Sequence, residues 1–185
     1  GAGGGLQVPS DLVTTYFQPA YDAGARVHSN SWGCSRDRSQ QVHLGGDGDC
    51  NQYLSLAADV DEFAFAHDDM LILFAAGNDG QFGLRSTVAS PATAKNSMTV
   101  GATSNARASW TEYGGAVASN PDTYYDHLSL AVFSSAGPTF DGRNKPDIVA
   151  PGFRVNSAKT QTACEFQLLS GTSMATPAAA GTAAL

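Results

Sequence analysis

The feature that most constrains the fold is an unbroken apolar run, Met70 to Ala76 (MLILFAA), set directly behind a stretch of helical period. In that stretch Leu56, Val60, Phe63 and Ala64 recur at i, i+4, i+7 and i+8, while Asp59, Asp61 and Glu62 fall elsewhere. Residues 53–67 therefore predict an amphipathic helix. The run behind it has strand length and no alternation, so both of its faces must be covered. Such strands belong to parallel sheets, whose crossover connections lay helices on each side.

The rest of the chain fits the same plan. Ser10 and Asp11 precede Leu12, Val13, Tyr16 and Phe17 at helical spacing, a capped helix that Pro19 is expected to end or kink and Gly24 to stop. Strands are expected at Ala25 to Trp32, Ser97 to Ala102 (SMTVGA), Ile148 to Ala150 and Phe166 to Leu169, with an extended return at His127 to Ser134. Thr172 to Leu185 is rich in Ala and predicts a closely packed interior helix. Two polar regions, Ser35 to Asn51 and Ser109 to Asp126, predict loops, the second a surface insertion. The fold class is α/β, with a largely parallel sheet flanked by helices.

Composition narrows the function. At 185 residues and 42% hydrophobic, the chain has the makeup of one globular domain. Its formal charge of −7 and the absence of a Lys/Arg cluster argue against nucleic acid as a partner. No apolar run approaches the ~20 residues needed to span a bilayer. Cys34, Cys50 and Cys164 fit no zinc spacing. Cys34 and Cys50 bracket a polar loop and are a disulfide if the chain matures in an oxidising compartment, two thiols if not. Cys164 is then a buried free thiol or the partner of a cysteine elsewhere. Asp47 and Asp49 alternate as calcium ligands sometimes do, but without EF-hand spacing a solvated loop is the better reading; calcium is the alternative, and no other metal or cofactor is expected.

In parallel sheets, functional residues gather at the carboxyl ends of strands. One such place is SGTSMATP, Ser170 to Pro177, where Ser173 stands among the unpaired N–H groups of a helix start, able to bind an oxyanion as well as to position a nucleophile. Pro177 is expected near the first turn of that helix. Alone, such a serine is usually only a cap. The second place is FAAGNDG, Phe74 to Gly80, which presents the Asn78 amide on a turn at the end of the buried strand.

Together with SNSWG (Ser29 to Gly33) and GPTFDGRNKPDIVAPG (Gly137 to Gly152), these motifs resemble the subtilisin-like serine proteases, in the family's order and over most of the chain. The resemblance implies that Ser173 attacks a peptide carbonyl while the Asn78 amide and the Ser173 N–H hold the oxyanion, with Thr172 assisting. It also implies that Ser31, Trp32 and Gly33 line the substrate cleft as an edge strand, opposite Ala75, Ala76 and Gly77. The expected substrate is an extended polypeptide, the expected location secreted or extracellular, and a propeptide is a possible partner.

A triad further needs an imidazole and a carboxylate. The family takes them from Asp-Ser/Thr-Gly and His-Gly motifs upstream of the SWG segment, and neither motif occurs here. His28, His43, His67 and His127 all lack that context. Residues 1–185 are therefore expected to be the later part of a catalytic domain, inactive alone, with the Asp and His in a preceding segment. The alternative is a non-catalytic, peptide-binding relative. The absence of GxSxG disfavours an α/β-hydrolase. Asn78, where the acid-active sedolisins carry Asp, predicts neutral or alkaline operation.

Overall fold

The computed structural model describes residues 8–34, 50–80, 84–105 and 128–185. Its centre is a four-stranded, all-parallel sheet in the order β1-β2-β3-β4, formed by Val27–Asn30, Leu71–Ala75, Met98–Thr103 and Ile148–Pro151. A separate antiparallel hairpin pairs β5, Val155–Ala158, with β6, Phe166–Leu169. Residues 128–134 form only an isolated bridge, Leu130 to Thr103, rather than the expected strand.

Helices cover the sheet on both sides, as the apolar run requires. On β2, Ile72 and Phe74 join Leu12, Phe17, Val60 and Phe63 in one buried cluster. Leu73 joins Val100, Ala102, Ala175, Ala179 and Ala180 in another. The first face is closed by an N-terminal helix and by α2, Ser55–Ala66. The second is closed by α3, Thr172–Ala183, which lies across all four strands. One side of α3 is buried, whereas Pro177, Ala178, Gly181 and Thr182 face outward.

Pro19 does not end the N-terminal helix. A wide, π-type stretch, Val13–Phe17, precedes it and passes into α1, Gln18–Asp22. The helix thus carries its proline at the start of a new register, where the lost N–H disturbs least. Asp11 caps the start by accepting from the Thr14 N–H at 2.9 Å. At the other end the Ala25 N–H bonds to Ala20 O and the Gly24 N–H to Tyr21 O, the paired closure typical of a helix ending at glycine.

Candidate active site

Three chain segments converge at the carboxyl end of the sheet. Residues 31–33 leave β1, residues 76–78 leave β2, and α3 begins at Thr172. Asn30 fixes the exit of β1, its Nδ2 donating to Leu73 O at 3.1 Å in the interior. The Ala76 N–H donates to Val100 O and Ala76 O accepts from the Ala89 N–H, each at 3.0 Å. The main chain on both sides of the site is therefore part of the hydrogen-bonded framework.

Asn78 is held by its carbonyl end. Its Oδ1 accepts from the Thr172 N–H at 2.9 Å and from the Thr172 hydroxyl at 3.1 Å, and that hydroxyl accepts from the Gly77 N–H at 3.2 Å. This closed ring fixes which way the amide faces: the acceptor end is consumed, and Nδ2 remains directed toward Gly171, 3.5 Å from where a Cβ there would lie. Gly171 has φ 155° and ψ 159°, a conformation essentially restricted to glycine. It brings the chain into α3 without a side chain in front of the amide.

Ser173 is half-buried in the first turn of α3. Its hydroxyl donates to Ser31 O at 3.3 Å, and the Ser31 hydroxyl donates to Ser173 O at 2.9 Å. The second bond has a cause in the sequence. Pro177 lies one turn inside α3, not near its first residue, and lacks the N–H that would have reached the carbonyl four residues back. That carbonyl is Ser173 O, and Ser31 supplies the missing donor. The proline in SGTSMATP was the signal for this contact, which the motif reading missed.

Of the residues named from sequence, Ser31, Gly77, Asn78, Thr172 and Ser173 are joined by these bonds. Trp32, Ala75 and Ala76 neighbour these residues in the chain. The Trp32 side chain turns toward Phe74 at 5.2 Å and Tyr16 at 6.0 Å, its indole N–H donating to the Tyr16 hydroxyl at 3.3 Å. Ala75 and Ala76 are buried. Gly33 packs against segment 89–90, where a Cβ would meet Ser90 O at 3.2 Å. The neighbouring Cys34 is bonded to Cys50 in a disulfide, resolving the question left open by spacing. Cys164 is a free thiol and is exposed rather than buried, because it lies in the link between β5 and β6.

A cleft of about 190 Å³ opens beside Ser173, lined among others by Val155, Leu169, Met174 and Pro177. The β5–β6 hairpin supplies its far wall. Neither described histidine touches Ser173: His28 packs on Tyr16 and Phe17 with centroids 5.1 and 5.2 Å away, and His67 stacks on Phe63 at 4.1 Å. Burial lowers the pKa of His28 and keeps it neutral. Asp47, Asp49, His43 and His127 lie outside the described residues.

A serine at a helix start thus stands beside an oriented amide at the carboxyl ends of parallel strands. Residues 3–185 match the family described as Subtilase family, Peptidase_S8, and the chain belongs to it. The chain is 33% identical to the Serine protease/ABC transporter B family protein tagD of Dictyostelium discoideum, over 93% of this chain and 12% of that protein. It is 35% identical to Serine protease AprX of Bacillus subtilis, over 78% of this chain and 32% of that protein. The solved structure of sphericase matches with a TM-score of 0.59 at 24% identity, covering 95% of this chain and 48% of that one, a likeness of fold. The chain thus spans less than half the length of each of these relatives.

Proposed function

We propose that the chain carries the nucleophile and oxyanion half of a serine endopeptidase, with the Asp and His of the triad supplied by a segment preceding it. The observation that carries this reading is the ring joining Thr172, Asn78 and Gly77. It holds Oδ1 and leaves Nδ2–H free beside the first turn of α3. An amide fixed before the substrate arrives needs no reorganisation when charge develops on the carbonyl oxygen, which is what makes such donors effective.

On this reading an extended polypeptide pairs with the main chain of Ser31, Trp32 and Gly33, while Ala75, Ala76 and Gly77 form the opposite wall. Ser173 Oγ attacks the scissile carbonyl as the imidazole takes its proton. The oxyanion sits between Asn78 Nδ2–H and the Ser173 N–H. Collapse expels the amine, protonated by the imidazolium, and water then releases the acyl group by the same route. The hydroxyl must leave Ser31 O for the imidazole, an exchange made easy by the long 3.3 Å bond. Because the base is a neutral imidazole, hydrolysis runs at neutral or alkaline pH.

The test uses a fluorophosphonate probe on the full-length protein and on residues 1–185 alone. Rapid labelling at Ser173 is expected in the first, and none above background in the second. Asn78→Ala should lower kcat by about 10²–10³, the size of effect found for the equivalent donor of subtilisin, with KM little changed. Hydrolysis by the full-length protein that survives Ser173→Ala would overturn the assignment, and rapid labelling of the isolated chain would overturn the division of the triad.

A further inference from the structure

Thr172 fixes the amide of Asn78 but not the backbone that carries it. Residues 77–80 lie beyond β2, outside helix and sheet, and Asn78 itself is exposed. The turn is gripped from the opposite side by segment 133–135. The Ser135 N–H donates to Gly77 O at 3.0 Å, and the Gly80 N–H donates to Phe133 O at 3.0 Å. Ser135 Oγ accepts from the Asp79 N–H at 3.1 Å. That oxygen also lies 2.8 Å from the position of a Cβ on Gly77, so the hydroxyl rests directly against the turn.

Ser135 is itself held on both sides. Ser134 Oγ accepts from the Ala102 N–H of β3 at 2.9 Å. On the other side, the Ala136 N–H donates to Thr87 Oγ1 at 2.9 Å, and the Thr87 N–H donates to Ala136 O at 2.8 Å. Ser135 is 2% exposed, so water does not readily replace its hydroxyl. One buried residue therefore bonds the backbone immediately before and immediately after Asn78, and it is tied through its neighbour to the same sheet that carries the site.

We propose that Ser135 is a positioning residue for Asn78, setting the place of the oxyanion donor without touching substrate or Ser173. This rests on the protease reading above. Replacing the hydroxyl with hydrogen removes the oxygen that Ser135 offers the Asp79 N–H and opens space beside Gly77, so the turn relaxes toward segment 133–135 and carries the amide with it. Shifts of an ångström in a preorganised group are worth up to about a hundred-fold in rate. The consequence falls on kcat rather than KM, because the amide acts on charge that develops in the transition state.

The experiment is a double-mutant cycle in the full-length protein, assayed on a peptide substrate. Ser135→Ala is expected to lower kcat about ten-fold or more at unchanged KM. In an Asn78→Ala background the same substitution should have no further effect on kcat, since the group it positions is gone. Ser135→Cys, which keeps a γ atom but offers a weak acceptor, should fall between Ser and Ala. It also supplies the cycle if the alanine variant is too unstable to assay. Equal losses with and without Asn78, or no loss at all while Asn78→Ala is severe, would overturn the proposal. If Asn78→Ala itself costs nothing, the protease reading fails first, which separates the two ideas.

Discussion

The two faces of the sheet are packed by different means. On one side Phe17 and Phe63 pack with Phe74 of β2, all fully buried, with Phe17 and Phe63 5.3 Å apart and Phe74 5.2 Å from Trp32. On the other side α3 meets the sheet through Ala175, Ala179 and Ala180 against Leu73, Val100 and Ala102. Large rings bury much apolar area and dominate stability. Alanines bury little, but they let a helix lie close to the strands. That closeness puts Ser173 within hydrogen-bond reach of the main chain leaving β1, and Thr172 within reach of Asn78. The aromatic face supports the sheet, and the alanine face sets the site.

The sharpest test sets a stability loss against a catalytic loss. Phe63→Ala should destabilise the protein by about 3–5 kcal/mol, the ordinary cost of emptying a large core position, measured from the denaturant midpoint. The kcat of the protein remaining folded should be unchanged. Gly152→Ala should cost less stability and lower kcat. A Cβ there would lie 2.6 Å from Ala102 Cβ, 2.8 Å from Gly171 O and 3.2 Å from Ala175 Cβ, so the entry to α3 must move. Overpacking of this kind costs about 1–3 kcal/mol. Because Gly171 also donates to Gly152 O at 2.8 Å, the shift reaches Ser173, and kcat should drop about ten-fold or more. A kcat lowered in Phe63→Ala, or unchanged in Gly152→Ala, would break the contrast between the faces.

The sequence was legible where local pattern and burial agree. Leu56, Val60 and Phe63 placed α2, and the MLILFAA run placed β2 with both faces covered. Partners distant in sequence decided the rest. Val155–Ala158 has no run of apolar residues and becomes β5 only by pairing with β6. Residues 128–134 have strand composition but form one bridge to Thr103. At the site, motif order named Ser173, Asn78 and Thr172. The Ser31 contact depended on where Pro177 falls in α3, and the Ser135 grip depended on a segment more than fifty residues away in the chain. The Ser135 grip is visible neither as a period nor as a motif.

The smallest expected effect concerns His28, which packs on the aromatic face. Its pKa is lowered from 6.5, chiefly by burial against the charged form, with the Asn30 side chain opposing the shift. In the unfolded chain the imidazole takes up its proton as pH falls through about 6.5; in the folded chain it does so only at lower pH. The unfolded state then binds more protons, so this contribution is complete above the unfolded pKa and is lost as pH falls below it. Tm should therefore decline more steeply from pH 7 to pH 5 in the native protein than in His28→Phe, which keeps a ring among Tyr16 and Phe17 and removes the titration. The pH profile of kcat should be the same in both, since His28 lies in the face that supports the sheet. A displaced kcat profile in His28→Phe, with the slope of Tm unchanged, would show that this histidine serves the site and would erase the distinction between the two faces.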